Sequence, residues 1–347
     1  MLPLLIVFIA LGFILEAISL RRNPDMVELD YNISSGVTEP GSPFRVQTVI
    51  TNKSRLPISY LEITEIFPTV TEIPDGMPIQ MKHDGIHVKN ICRIRSRRRK
   101  RLTLQTSISK RGVYSFRGAS IEFGDFLGFR EISKRINNQQ DIVVYPEKLE
   151  NRSLTDALAS FCGDVAAKRW LIRDPILTVG CREYTGREPM KDIHWLQSAH
   201  RGDIMVREYE YNRQLSVNVV LSVDGIKIID DESLDKCCST ARTICEELIK
   251  KGVPVSFFTN ALLQRKSGKE PWRCEATAGR AGGLLEGLGR VSSRSCCSLE
   301  KLLEYAVREN DTAASFIIIR SESEKSGDEI IDRLKKTTGQ EVLVIQN

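Results

Sequence analysis

Phe44–Thr51 reads FRVQTVIT. In an extended chain Phe44, Val46, Thr48 and Ile50 share one face, and Arg45, Gln47, Val49 and Thr51 share the other. That period of two predicts a strand with one face turned to a core. Pro40-Gly41 before it and Asn52-Lys53-Ser54 after it are turn signals. Similar short runs predict strands at Ile58–Ile63, His87–Ile94, Arg101–Ile108, Val113–Phe123 and Ile142–Tyr145. Many short strands separated by turns predict an Ig-like β-sandwich over residues 23–150.

Further along, the pattern changes. Val217–Val223 is a continuous apolar run, as a strand buried on both faces would be. A helix is expected over Glu232–Lys251, with Leu234, Cys238, Ala241, Cys245, Leu248 and Ile249 as its apolar stripe, Asp231 as N-cap and Gly252 as its stop. Strand Val253–Thr259 follows, then a polar, glycine-containing stretch to Arg290. Helix Leu299–Arg308 starts after Ser298 as cap. Strand Ala314–Arg320, helix Asp328–Lys336 and strand Glu341–Ile345 complete the pattern. Strands alternating with helices predict an α/β domain with a mostly parallel sheet over residues 217–347. Residues 151–216 connect the two regions.

At the other end, Leu2–Leu20 reads LPLLIVFIALGFILEAISL. As a helix it would be about 28 Å long, close to the thickness of the hydrocarbon layer. Residues 1–22 are therefore expected to be a single transmembrane anchor in the bilayer. The rival is a cleaved signal peptide, favoured by Ala17-Ile18-Ser19 but opposed by the lack of a basic residue before the run. Arg21 and Arg22 follow it, which places the bulk of the chain in the cytoplasm of a single-pass cell-membrane protein. Nine cysteines, with adjacent pairs at Cys237-Cys238 and Cys296-Cys297, fit reduced thiols better than a disulfide framework.

The formal net charge of +5 is mild, but Arg93–Arg101 concentrates it as RIRSRRRKR. Between two strands this is either a solvated hairpin end or a contact for anionic lipid. Nucleic acid is not expected, because aromatic residues are not interleaved with the charges.

The segment Gly180–Asn212 reads GCREYTGREPMKDIHWLQSAHRGDIMVREYEYN. It resembles the signature of the family called domain of unknown function 58. The matching elements are Arg182-Glu183-Tyr184, Gly186, Ile193-His194-Trp195, Ser198-Ala199 and Val206-Arg207-Glu208-Tyr209-Glu210. Arg111-Gly112-Val113-Tyr114 and Gly124-Asp125-Phe126-Leu127-Gly128-Phe129 are similar to two further elements of that family. Glu188 and His200 depart from its pattern. The resemblance implies a C-terminal domain of von Willebrand factor A type, no catalytic activity, and partnership with a MoxR-type AAA+ ATPase in complex assembly or envelope-related processes. The expected function is thus a membrane-anchored, non-enzymatic adaptor or scaffold.

The chemistry-bearing residues gather in the same segment: Arg182, Glu183, Tyr184, Asp192, His194, Trp195, Arg207, Glu208 and Glu210. Arginine and carboxylate make bidentate pairs, and tyrosine and tryptophan anchor buried contacts, so a charge-paired latch between the domains or a partner surface is expected. An acid/base site built from His194 with Glu183 or Glu208 would instead make the chain a hydrolase. An extracytoplasmic binding protein is a third reading, needing the opposite orientation. Cys181 near His194 is weak evidence for a thiol nucleophile, and His83 with His87 is no metal pair in a strand context. No phosphate-binding loop, nucleophile elbow or zinc-binding helix occurs, so no cofactor is expected. A metal site of von Willebrand A type needs Asp-x-Ser-x-Ser after its first strand. Here Asp224-Gly225-Ile226-Lys227-Ile228 keeps only the aspartate. The site is degenerate, no metal is expected, and Asp224 is left a structural role.

Overall fold

The computed structural model describes residues 26–55, 57–124, 131–136, 138–171, 173–186, 188–211, 216–226, 230–266, 268, 270–309, 314–321 and 327–346. The chain divides into two compact units, Met1–Glu147 with Leu285–Val291, and Lys148–Leu284 with Ser292–Asn347.

The first unit contains strands β1 (Val27–Ile33), β2 (Val37–Thr38), β3 (Phe44–Asn52), β4 (Ile58–Phe67), β5 (Ile79–Lys82), β6 (Gly85–Ile94), β7 (Arg99–Thr106), β8 (Gly112–Phe116), β9 (Ala119–Gly124), β10 (Glu131–Ile136) and β11 (Gln140–Val144). They form sheets in the orders β1-β3-β7, β10-β9-β4-β6-β5 and β2-β11-β8. Phe44, Val46, Thr48 and Ile50 of β3 are buried, as the alternation requires. Val113–Phe123 is two strands, because the chain turns at Gly118 with φ +87°, a conformation that side chains disfavour. The Phe116 ring stands edge-on to both Phe44 and Phe67, with centroids 5.8 Å apart in each pair. Such perpendicular packing adds to the burial of the rings themselves. This unit is an Ig-like β-sandwich.

Leu285–Val291 completes it. Arg111 Nη1 donates to the carbonyls of Leu288 (3.2 Å) and Val291 (2.9 Å). Gly289 lies against β11 so closely that a Cβ there would be 2.5 Å from Val143 Cγ1 and 2.8 Å from the Val144 carbonyl oxygen.

The second unit begins with helix α1 (Arg152–Leu171). The Asn151 side chain accepts from Ser153 N at 3.0 Å, satisfying a helix N-terminal donor. Strands β12 (Arg173–Glu183) and β13 (Met205–Tyr211) form an antiparallel ribbon, with helix α2 (Trp195–Arg201) between them in sequence. Then come β14 (Val217–Leu221), α3 (Asp231–Lys250), β15 (Val255–Thr259), β16 (Ala261–Leu263), β17 (Trp272–Ala276), α4 (Gly282–Arg290), β18 (Val291–Ser295), α5 (Leu299–Glu309), β19 (Ser315–Arg320), α6 (Asp328–Thr338) and β20 (Val342–Gln346). Their five-stranded sheet runs β17-β15-β14-β19-β20. It is mixed: β14 is parallel to β15 and β19, β19 is parallel to β20, and β17 is antiparallel to β15. Helix α3 is capped by Asp230, whose side chain accepts from Ser233 N at 3.1 Å, one residue before the expected cap.

Three expectations are corrected. No helix among the described residues is long and apolar enough to cross a membrane. The apolar run Leu2–Leu20, which carries the expected transmembrane anchor, lies outside those residues; with no membrane-crossing helix among the described ones, the single-pass cell-membrane placement is not retained. A mostly parallel α/β domain of von Willebrand A type is not retained either. Among the described residues most of the sheet is antiparallel and belongs to the sandwich, and the stretch read as a polar loop before Arg290 supplies β17 as an antiparallel edge of a mixed sheet.

Candidate functional site

The end of the β12–β13 ribbon carries most of the residues singled out in the sequence. Arg182 is on β12, and its Nη2 pairs with Glu188 Oε1 at 2.6 Å. Glu188 also accepts from Thr185 Oγ1 (2.7 Å) and Thr185 N (3.1 Å). The Thr185 hydroxyl leads, with Arg182 contributing, in holding the Glu188 carboxyl down at about 2. Gly186 takes φ +86° in this turn, which explains the residue type there. The charge pair is therefore local: Arg182 engages Glu188, a residue that the sequence marks only as a departure from pattern. Glu183 is exposed.

A second set of contacts fixes α2. Tyr184 N donates to Ile204 O at 2.9 Å, and His194 N to Met205 O at 2.8 Å. The Ser198 hydroxyl donates to His194 O (3.0 Å) and accepts from Met205 N (2.8 Å). His194 is the helix N-cap: its Nδ1 accepts from Gln197 N at 3.2 Å. That nitrogen must carry a lone pair to do so, and it is thereby occupied in structure. Gly202 closes the helix with φ +84°. Asp192 is buried, in a turn where its N–H donates to Pro189 O at 3.0 Å.

The clamp leaves apolar side chains facing water. Trp195 is 63% exposed, Leu196 69% and Met190 73%, and Ile204 is exposed as well. Trp195 is thus not the buried anchor expected from its residue type. Sequence reasoning misses Met190, Leu196 and Ile204, although an IHW-L sequence opening a short helix carries the signal. Arg207, exposed, lies opposite Cys181 across the ribbon, and Glu208 opposite Gly180. Glu210 is on β13. Among the described residues no hydrogen bond joins Cys181 to His194, and no group of three or more His, Cys, Asp or Glu is placed to hold a metal.

Asp224 lies past β14 and is half-buried. Its Oδ2 accepts from Leu299 N, the first residue of α5, at 2.7 Å. The cap expected from Ser298 thus comes from Asp224, distant in sequence. Asn260 fastens the same corner, accepting from Val223 N (3.0 Å) and donating to Cys297 O (2.9 Å). Burial first, then Cys296 and Asp224, push the Cys297 thiol up to about 12, so it is not a thiolate nucleophile at neutral pH. Ile226 is buried, while Lys227 and Ile228 lie outside the described residues, as does Asp125–Phe129. Replacing Asp224 by alanine removes an anionic acceptor from a helix N-terminus. A loss of about 0.5–2 kcal/mol in urea unfolding is expected.

No family model matches the chain, and no curated protein matches it. Solved structures similar to it include the CARDB domain of a Pyrococcus furiosus protein (11% identity, covering 34% of this chain and 86% of that one, TM-score 0.23). A non-cellulosomal cohesin from Archaeoglobus fulgidus has 16% identity over 34% of this chain and 91% of its own, with TM-score 0.24. A type II cohesin domain from the cellulosome of Acetivibrio cellulolyticus has 10% identity over 34% of this chain and 95% of its own, with TM-score 0.27. None of these three is of von Willebrand A type, and at these scores they carry no inference about function or partner.

Proposed function

We propose that the chain is a non-enzymatic adaptor or scaffold, and that its partner docks on the ribbon end that carries α2. One observation carries this reading: Met190, Trp195, Leu196 and Ile204 are exposed on a segment pinned by backbone and hydroxyl hydrogen bonds. Exposed apolar side chains concentrated on one short segment, Met190–Ile204, make a candidate interaction surface. Rigid presentation lowers the entropy cost of docking, and tryptophan is enriched among residues that dominate binding. A MoxR-type AAA+ ATPase is the partner implied by the motifs between Arg182 and Glu210 that resemble domain of unknown function 58. The hydrolase alternative receives no support from His194, whose Nδ1 serves as a cap.

The test is a pull-down of a MoxR-type ATPase by the full chain under ATP, ADP and a non-hydrolysable analogue. Enrichment is expected in at least one nucleotide state. Trp195→Ala should weaken it by about 30-fold or more, the loss of a binding hot spot. Its melting temperature should stay within a degree or so of wild type, because an exposed side chain contributes little to the core. No enrichment in any state, or an unweakened Trp195→Ala, would overturn the reading.

A further inference from the structure

The basic run occupies one end of the sandwich. There the chain crosses between sheets twice, from β3 to β4 and from β6 to β7. The two crossings are tied together. Asn52, fully buried, donates from its backbone to Arg98 O (3.0 Å) and from its side chain to Arg95 O (3.2 Å). Its Oδ1 accepts from Ser54 N (3.0 Å) and Ser54 Oγ (2.7 Å), and Arg97 N donates to Ser54 O (3.1 Å). A buried asparagine with its hydrogen-bonding groups engaged makes a fixed platform, since leaving them unpaired would be costly.

Arg55, Arg93, Arg95, Arg97, Arg98 and Arg101 are all exposed on this platform, and none makes an ion pair among the described residues. Alternation puts Cys92 and Ile94 inside and Arg93 and Arg95 outside. Arg97 holds φ +51°, where a β-carbon is disfavoured. Of the carboxylates on the adjoining strands, Glu28 is engaged by Lys53 and Glu62 by Lys89 and Tyr60, which leaves Asp30, across Val49 from Arg101, as one exposed carboxylate against six arginines. The cluster therefore presents uncompensated positive charge.

We infer that this end of the sandwich binds the phosphate headgroups of an anionic lipid surface. Guanidinium forks match phosphate oxygens two by two. The charges come from strands of two different sheets and the loops between them, so they spread around an end instead of lining a peptide groove. Apolar side chains sit among them: Ile91, exposed, is two residues from Arg93 on the same strand face, and exposed Met26 accepts from Lys53 N through its carbonyl (2.8 Å). Cations interspersed with aliphatic side chains suit the boundary of headgroup and acyl chain. Among the described residues at this end the exposed aromatic is Tyr60, whose hydroxyl is tied to Glu62 (2.9 Å), where single-stranded nucleic acid requires a row of stacking rings.

The test is co-sedimentation of the full chain with vesicles of phosphatidylcholine alone and of phosphatidylcholine mixed with phosphatidylglycerol. Binding to neutral vesicles measures any contribution of the apolar Leu2–Leu20 stretch. Anionic vesicles should bind at least several hundredfold more, and the excess should fall as salt shortens the screening length. Each basic group removed should cost about fivefold, so the joint change of Arg93, Arg95, Arg98 and Arg101 to glutamine should cost several hundredfold, or about the whole excess. An unchanged melting temperature will show that this variant is folded, and the pair Arg55→Gln and Arg97→Gln gives an independent, smaller loss. Equal binding to both vesicle types, or a quadruple variant that binds as wild type, would overturn the inference. So would arginine-dependent binding of polyglutamate or a single-stranded oligonucleotide in preference to the anionic vesicles.

Discussion

Gly289→Ala is expected to lower the melting temperature of the sandwich unit by several degrees, while Gly283→Ala leaves it unchanged or slightly higher. Both glycines belong to α4, and in a helix alanine outranks glycine by about 0.5–1 kcal/mol. Propensity alone therefore predicts a gain at both. At Gly283 the nearest atom to an added Cβ is Cys274 Sγ, 3.9 Å away, an ordinary contact. At Gly289 the Cβ would meet Val143 Cγ1 at 2.5 Å and the Val144 carbonyl oxygen at 2.8 Å. The valine methyl can rotate, but the carbonyl is backbone of β11 and paired in a sheet. The helix segment must retreat, and Arg111 then loses its two carbonyl partners. Overpacking of this kind costs about 1–3 kcal/mol, more than the propensity gain. Scanning calorimetry with limited proteolysis of the segment around residue 289 gives the readout. A Gly289→Ala protein that melts like wild type would show that the close approach has slack.

Glu65→Gln is expected to raise stability at neutral pH by about 1–3 kcal/mol, the scale of burying a polar group with incomplete compensation. Glu65 is 2% exposed. Thr48 Oγ1 donates to its carboxyl from the facing sheet. Burial raises the Glu65 pKa, and the Thr48 hydrogen bond offsets only part of that. Its titratable neighbour Tyr31 is also raised, first by burial and then by the charge of Glu65, so it stays a neutral phenol. The folded protein therefore holds the Glu65 proton more tightly than the unfolded chain does. With the folded pKa above the unfolded one, stability falls as pH rises from the ordinary carboxylate range through the folded value, and is flat beyond it. Glutamine keeps an oxygen to accept from Thr48 and carries no charge. Urea unfolding from mildly acid to neutral pH should show wild type losing stability across that window and Glu65→Gln losing less. Parallel curves would mean that Glu65 does not titrate there.

The strands that one period explains are legible in the sequence. β3 follows from Phe44, Val46, Thr48 and Ile50, and α3, α5 and α6 lie where apolar stripes place them. Helix α1 is not legible, because Leu154, Leu158, Phe161 and Val165 are diluted by serine, alanine and Gly163 on all sides. Neither is α4, where Gly282, Gly283, Gly287 and Gly289 crowd one short segment and read as loop by propensity. Packing of that segment onto the sandwich overrides the propensity. Burial of Glu65 follows the alternation Leu61, Ile63, Glu65, Phe67, but residue type argues against it. At the candidate site the sequence identifies the segment and the clamp residues His194 and Ser198, yet assigns Trp195 to a buried contact. Only the hydrogen bonds that pin α2 show which of its side chains are left facing water.

The sandwich is discontinuous in sequence, and this has a consequence for its synthesis. Residues 1–147 leave the ribosome first, but Leu285–Val291 follows only after residues 148–284 have been made. At about 5–20 residues per second that is a wait of roughly seven to thirty seconds. During that interval the surface of Val143 and Val144 is uncovered and Arg111 lacks its two carbonyl acceptors. The nascent sandwich is open to chaperones and proteases for that time, and a fragment ending near residue 150 never closes it at all.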